Sequence, residues 1–150
     1  MAGSEIKDQI IESATKYFSK YGFHKTTMDE IAKNIHKAKG VLYYYFNSKE
    51  ELFNEVLKKE LGTLKEALLR IVHSNKNALT ILTDYMLTRF KLLNKAVNYH
   101  ETLKADFFER YHFVKDVRDD FDTFEQIQLT TIIEKGNVEG YLNVKNIGPT

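Results

Sequence analysis

The 150-residue sequence contains no cysteine and a single proline. Without cysteine the chain can form no disulfide, no thiolate metal site and no cysteine nucleophile, which suits a reducing cytosol. No apolar run approaches the roughly 18 residues of a membrane span, and residues 1–10 are too polar for a signal peptide. We therefore expect an ordinary globular protein of the cytoplasm, with enough hydrophobic residues to build a core.

Net charge is also small, at +1, but the charges are unevenly distributed. Residues 33–49 contain no acidic side chain, and their basic side chains are Lys33, His36, Lys37, Lys39 and Lys49. Such a stretch inside a near-neutral protein indicates a surface that meets a polyanion. A solvated face of lysines is the alternative, and the local pattern has to decide between the two.

Helix-breaking residues are scarce, and apolar residues recur at helical spacing along nearly the whole chain. An apolar residue at every fourth position from Ile6 to Phe18 marks a first helix, which Gly22 would end. The last helical period would be ended by Gly136 and Asn137. We predict an all-α fold of roughly seven helices.

Two capping boxes, at Thr27–Glu30 and Ser48–Glu51, border the basic stretch. Between them the pattern predicts a short helix, a polar turn at residues 36–39 and a brief helical segment at residues 40–46. Three short helices with a tight turn between the second and the third have the dimensions of a helix-turn-helix. The small or apolar residues that its helix crossing needs are Ala32, Ile35 and Leu42.

The same region carries an ordered set of residues at fixed spacing, namely Thr26–Lys33, Lys39–Phe46 and Ser48–Phe53. This set resembles the signature of the TetR (tetracycline-repressor) family of bacterial transcription repressors, over about residues 6–57. The resemblance implies a helix-turn-helix DNA-binding domain at residues 1–50. It also implies a helical effector-binding and dimerisation domain at residues 51–150, with the helix from Ser48 joining the two.

The resemblance assigns roles to individual residues of the motif. Thr27 would hold a DNA phosphate or cap the second helix. Base pairs would be faced by Lys39, Gly40, Val41 and Tyr43. The DNA backbone would be anchored by Tyr44, Tyr45 and Lys49, although core packing fits Tyr45 equally well.

The turn departs from the family pattern, which usually has a glycine followed by an apolar residue. His36 stands at the glycine position and would have to adopt a left-handed backbone conformation. Lys37 stands at the apolar position, where its charge cannot be buried, so we expect it to extend outward toward DNA.

Aromatic residues are dense between positions 85 and 124. Most of them would be core, but the resemblance implies an effector pocket in this part of the chain. The candidates for its lining are Tyr85, Phe90, Phe107, Phe108, Tyr111, His112, Phe124 and Gln128. The composition suits a small, largely apolar ligand, although an ordinary core would look the same.

The sequence contains no complete enzyme site. Glu109 and His112 have the Glu-x-x-His spacing of half a di-iron site, but no second pair exists. We expect no enzymatic activity, no metal and no cofactor. A helix-turn-helix that has lost DNA binding and serves as a protein adaptor is the other hypothesis. The joint presence of Lys39, Tyr43, Tyr44 and Lys49 argues against it.

One short recognition helix reads too few base pairs to find a site in a genome, so we expect a homodimer on palindromic double-stranded DNA. The spacing of Gly136, Gly140 and Leu142 resembles the loop that precedes the last two helices of the family. Those helices commonly build the dimer interface. We therefore expect the chain to be incomplete after Thr150 and to dimerise poorly by itself.

Overall fold

The computed structural model describes residues 2–145, in which helices are joined by short turns and no strand occurs. The eight α-helices are α1 Ala2–Lys25, α2 Met28–Asn34, α3 Lys39–Tyr45, α4 Lys49–Val72, α5 Ala78–Lys95, α6 Val97–Thr102, α7 Ala105–Arg110 and α8 Lys115–Glu139. A 3₁₀ turn at His112–Val114 leads into α8. The all-α prediction is confirmed, with one helix more than the sequence suggested.

Packing divides the chain into two compact units. The first combines the residues up to Glu60 with Val97–Val114, and the second combines Leu61–Ala96 with the residues from Lys115 onward. Residues 97–114, which come late in the chain, therefore pack in the same unit as the helix-turn-helix segment. A functional division near residue 50 stays a prediction, because these units are defined by packing alone.

The caps at the starts of α2 and α4 act as the sequence indicated, whereas α1 continues past Gly22 to Lys25. Gly22 interrupts α1 with φ 85° and ψ 164°, a conformation that is essentially restricted to glycine. The Thr27 hydroxyl accepts a hydrogen bond from the Glu30 backbone N–H at 3.2 Å and caps α2. Ser48 caps α4 in the same way through the backbone N–H of Glu51, at 3.1 Å.

The core of the first unit joins α1, α2, α3 and α4. Its buried apolar side chains include Ile10, Ala14, Phe18, Ile31, Ala32, Leu42, Leu52, Phe53 and Val56. The ring of Phe53 packs edge-on against Phe18 and Phe23, with centroids 5.0 and 5.1 Å apart. Removal of these side chains from water provides the main stabilisation of the unit, because each buried large apolar side chain contributes about 1.5–3 kcal/mol.

A polar cluster around the buried Asn98 attaches α6 to the rest of the first unit. The Asn98 side-chain nitrogen lies 3.2 Å from the Thr15 carbonyl, 3.0 Å from the Ser19 hydroxyl and 3.1 Å from the Glu60 carboxylate. Burial raises the pKa of Glu60, and hydrogen bonds from Tyr99 and Asn98 oppose that shift. The cluster fixes where α6 lies, because a buried amide is costly without its partners.

The second unit is built on α5 and α8. Glu125 is buried in α8, and its carboxylate accepts two hydrogen bonds from the Arg89 guanidinium, at 2.6 and 2.8 Å, and one from the Tyr85 hydroxyl at 3.1 Å. Burial raises the pKa of Tyr85, with Glu125 adding to the effect. This network satisfies a carboxylate that would otherwise be unpaired inside the unit.

The prediction that Gly136 and Asn137 end the last helix is wrong, because α8 continues to Glu139. Gly140 ends it instead, with φ 82°. The backbone N–H of Tyr141 bonds the Gly136 carbonyl at 3.0 Å, and that of Gly140 bonds the Asn137 carbonyl at 3.2 Å, which is a Schellman motif. Gly136 is needed for space, because a Cβ there would lie 2.5 Å from the nearest Leu142 side-chain atom.

The backbone role of Gly22 leads to a stability prediction. Gly22→Ala should lower the free energy of unfolding by about 1–3 kcal/mol, because alanine would be strained at a φ of 85°. Gly40→Ala is the matched control, since a Cβ meets no atom within 4 Å at either site but only Gly22 has a positive φ. We expect the control to be unchanged or up to about 1 kcal/mol more stable. Urea unfolding followed by circular dichroism measures both, and equal losses would contradict the backbone explanation.

Candidate nucleic-acid interface

Helix α3 has one buried anchor and a broad exposed face. Leu42 is completely buried, whereas Tyr43 is 43% exposed and Tyr44 is 83% exposed. Lys39 and Gly40, at the start of the helix, are exposed as well. Because residues three and four apart share a helix face, these four positions form a continuous surface around the start of α3.

The turn before α3 extends this surface. His36 has the left-handed conformation expected for it, with φ 57°, and the Lys37 side chain is exposed. Among the described residues, neither Lys37 nor Lys39 forms an ion pair, and the Lys39 ammonium lies 6.0 Å from the Tyr43 ring centroid. Lys33 differs, since Asp29 pairs with it at 3.0 Å. We define the exposed face as Lys37, Lys39, Gly40, Tyr43 and Tyr44; it carries two uncompensated positive charges.

Three other residues of the predicted interface have different surroundings. Val41 is half-buried, and so is Tyr45, whose ring packs edge-on against Tyr44 at 5.0 Å. The Tyr45 hydroxyl lies 3.6 Å from where a Cβ would stand on Gly3, so this side chain reaches the start of α1. The Thr27 side chain is exposed and is engaged in capping α2.

The Lys49 side chain has partners inside the protein that the sequence does not indicate. A phosphate was the expected partner, because a cation in the first turn of a helix opposes the helix dipole. Instead its ammonium donates to the carbonyls of Phe23 at 2.8 Å, Thr26 at 3.1 Å and His24 at 3.4 Å. Partial burial lowers the pKa of Lys49, and the charge of Glu50 opposes that shift. These carbonyl partners could not be predicted from the sequence. The only hint of them is Gly22, which breaks the helix just before the residues that provide the carbonyls.

The eight candidates for an effector pocket are divided equally between the two units. Four of the candidates lie in the first unit. The Phe107 ring stacks on that of Phe53, with centroids 5.9 Å apart, and the Tyr111 hydroxyl lies 3.3 Å from His24 Nδ1. Phe108 packs edge-on against His112, with centroids 5.1 Å apart. A cleft of about 210 Å³ beside the end of α1 is lined in part by Phe107 and Tyr111. The cleft residues that the sequence did not point to include Tyr21, Gly22, Glu101 and Arg110.

The candidates in the second unit differ in exposure. Tyr85 and Gln128 are buried, Phe124 is half-buried with the Lys65 ammonium 5.6 Å from its ring centroid, and Phe90 is 71% exposed. Over residues 2–145 no group of three histidine or acidic side chains could hold a metal ion. No described helix is both long enough and apolar enough to cross a membrane.

Comparison with known proteins places the exposed face in a family motif. Residues 10–56 match the family described as bacterial regulatory proteins, tetR family. The chain is 42% identical over 53 residues to the biofilm operon icaADBC HTH-type negative transcriptional regulator IcaR of Staphylococcus aureus. The aligned segment is 35% of this chain and 28% of that protein. The chain spans less than a third of the length of the curated relatives it matches.

Solved structures extend the similarity beyond the motif. A transcriptional regulator of Cytophaga hutchinsonii is 30% identical with a TM-score of 0.74, over 93% of this chain and 70% of that one. The ketosteroid transcriptional regulator KstR2 of Mycobacterium tuberculosis is 25% identical with a TM-score of 0.69, over 93% and 72%. With the motif at residues 10–56 and a similar fold over most of its length, the chain belongs to the TetR family of bacterial regulators.

Proposed function

We propose that this chain is a non-enzymatic transcriptional repressor that binds palindromic double-stranded DNA as a homodimer and is released by a small, largely apolar effector. The observation that carries the proposal is the exposed face of α3 and its turn, with two unpaired lysines and two exposed tyrosines. A relative that acts as a negative regulator, IcaR, supports repression as the direction of control.

The dimensions of α3 suit the major groove of DNA. An α-helix with its side chains is about 10–12 Å in diameter, and the groove is about 12 Å wide, so the seven-residue α3 can lie in it. Gly40 has no side chain, so DNA could approach its backbone closely. Packing inside the protein does not require a glycine there, because a Cβ would meet no atom within 4 Å. Lys37 and Lys39 supply charge for phosphates or base edges, and Tyr43 and Tyr44 supply rings with hydroxyl groups.

The effector is proposed to bind in the helical region after α4. In the second unit, Tyr85, Phe124 and Gln128 combine aromatic surface with a buried amide, as ligand pockets commonly do. To lower DNA affinity a hundredfold, the ligand must favour the non-binding state by about 2.7 kcal/mol. A relative that is a ketosteroid regulator, KstR2, supports a ligand of largely apolar chemistry.

Operator DNA selected from a random pool by the full-length protein allows the first test. Lys39→Gln should weaken binding to all sequences and flatten the slope of log affinity against log salt by about one unit, because one phosphate contact is lost. Lys58→Gln removes the same charge from α4, where Lys58 pairs with Glu55, and should leave the slope unchanged. Failure of the wild type to bind DNA in a salt-dependent way would instead support the adaptor hypothesis.

Tyr43 is expected to read bases. Tyr43→Ala should relax sequence preference at one or two positions of the operator, at a cost of about 1–3 kcal/mol for the preferred sequence. Tyr21→Ala is the matched control, because Tyr21 is 46% exposed, close to the 43% of Tyr43, but lies outside α3. Competition binding against single-base operator variants measures the preference. An unaltered preference in Tyr43→Ala would remove this residue from base recognition.

Ligand release can be tested with the operator complex. Hydrophobic drugs, fatty acids and bile-type amphiphiles are titrated, and we expect at least one class to release the protein from DNA. Gln128→Leu should weaken that response, whereas Leu87→Ala, at a 66% exposed position of α5 that is not a pocket candidate, should not. If ligands that bind in the region of residues 85–132 leave operator affinity unchanged, the region has no role in switching.

A further inference from the structure

The Lys49 ammonium is engaged by the protein itself. Three backbone carbonyls lie within 3.4 Å of Nζ, those of Phe23, His24 and Thr26. The ammonium also lies 4.3 Å from the centroid of the Phe23 ring, which favours a cation. A lysine ammonium has three N–H donors, so these carbonyls can occupy all of them and leave none for a DNA phosphate.

The carbonyls converge because α1 is interrupted. The last carbonyls of a helix have no partner within the helix, and the turn at Gly22 redirects the residues that follow it. Lysine commonly binds such carbonyls, and its charge is favourable at the negative end of the helix dipole. The C-terminal end of α1 therefore offsets the unfavourable position of Lys49 at the start of α4.

This contact connects the two ends of the helix-turn-helix. Thr26 directly precedes Thr27, the cap of α2, and Lys49 follows α3 by four residues. The bond from Lys49 to Thr26 thus spans 23 sequence positions and closes the segment that contains α2 and α3. Holding both ends fixes the position from which α3 is presented.

We propose that Lys49 is a positioning residue for DNA binding, which fastens the start of α2 to the start of α4 and does not itself neutralise a phosphate. The inference rests on the proposed DNA-binding function. A preorganised segment loses less freedom on binding, so loss of the fastening lowers the fraction of molecules that are ready to bind. The apparent dissociation constant rises by the same factor.

Lys49→Met tests this role, because it removes the charge and the N–H donors but keeps an unbranched stem against Phe23. We expect operator affinity to fall about tenfold if roughly a tenth of the molecules remain competent, with the salt slope unchanged. Lys39→Met is the matched comparison, and its slope should fall by about one unit. A slope that falls equally in Lys49→Met would show a phosphate contact and overturn the proposal. Unchanged operator affinity would overturn it too.

Gly22→Ala provides a second variant that alters no charge. If Lys49 acts through the carbonyls that Gly22 positions, Gly22→Ala and Lys49→Met should both weaken operator binding, and their effects should not add in the double variant. A phosphate contact predicts additive effects. All affinities are measured at a temperature at which circular dichroism shows each variant to be folded.

Non-specific DNA and hydrogen exchange separate positioning from general stability. Binding to non-operator DNA, which depends on charge alone, should fall less in Lys49→Met than operator binding does. Without DNA, the backbone amides of Glu30 and Ile31, which bond Thr27 at 3.2 and 3.3 Å, should exchange faster in Lys49→Met than in the wild type, while amides of α5 stay unchanged. If the wild type binds no DNA, the proposed function fails, and the exchange experiment still decides whether Lys49 fastens the segment. Equal protection in both proteins would refute the fastening.

Discussion

The positive φ of Gly22 is the constraint on which the geometry of the first unit depends. An uninterrupted helix would carry the chain past the point at which α2 has to begin, and its carbonyls would point along the helix axis. The turn at Gly22 allows Thr27 to cap α2 and leaves the carbonyls of Phe23, His24 and Thr26 to bind Lys49. One backbone conformation therefore decides both where the helix-turn-helix starts and how it is fastened to α4.

The helix-turn-helix could be predicted from the sequence because its determinants act over three or four residues. The capping boxes at Thr27 and Ser48 bond backbone groups within one turn, and the His36 turn is a property of a single residue. Leu42 also follows from pattern, since a helix-turn-helix needs apolar or small residues where its helices cross, and Leu42 meets that need together with Ala32 and Ile35. Such signals do not require knowledge of distant parts of the chain.

Contacts between distant residues could not be predicted in the same way. The role of Lys49 depends on carbonyls more than twenty positions earlier, and the position of α6 depends on Asn98 meeting α1 and α4. Gly136 was interpreted as a helix terminator although it is a point of close packing for Leu142. A glycine or a lysine has the same local signature in either role, and only the folded neighbours distinguish them.

On α3, the residue that packs in the core differs from the residues that are proposed to recognise DNA. Leu42 holds the helix from inside, whereas Lys39, Tyr43 and Tyr44 contribute little to the core. Substitutions of these exposed side chains should therefore change recognition while costing less than about 0.5 kcal/mol of stability, as is usual at surfaces. Lys49 belongs to the basic stretch by its charge, but its ammonium is hydrogen-bonded to backbone carbonyls of the protein itself. A lysine near a recognition helix can therefore be assigned to a DNA phosphate only after its hydrogen-bond partners within the protein are known.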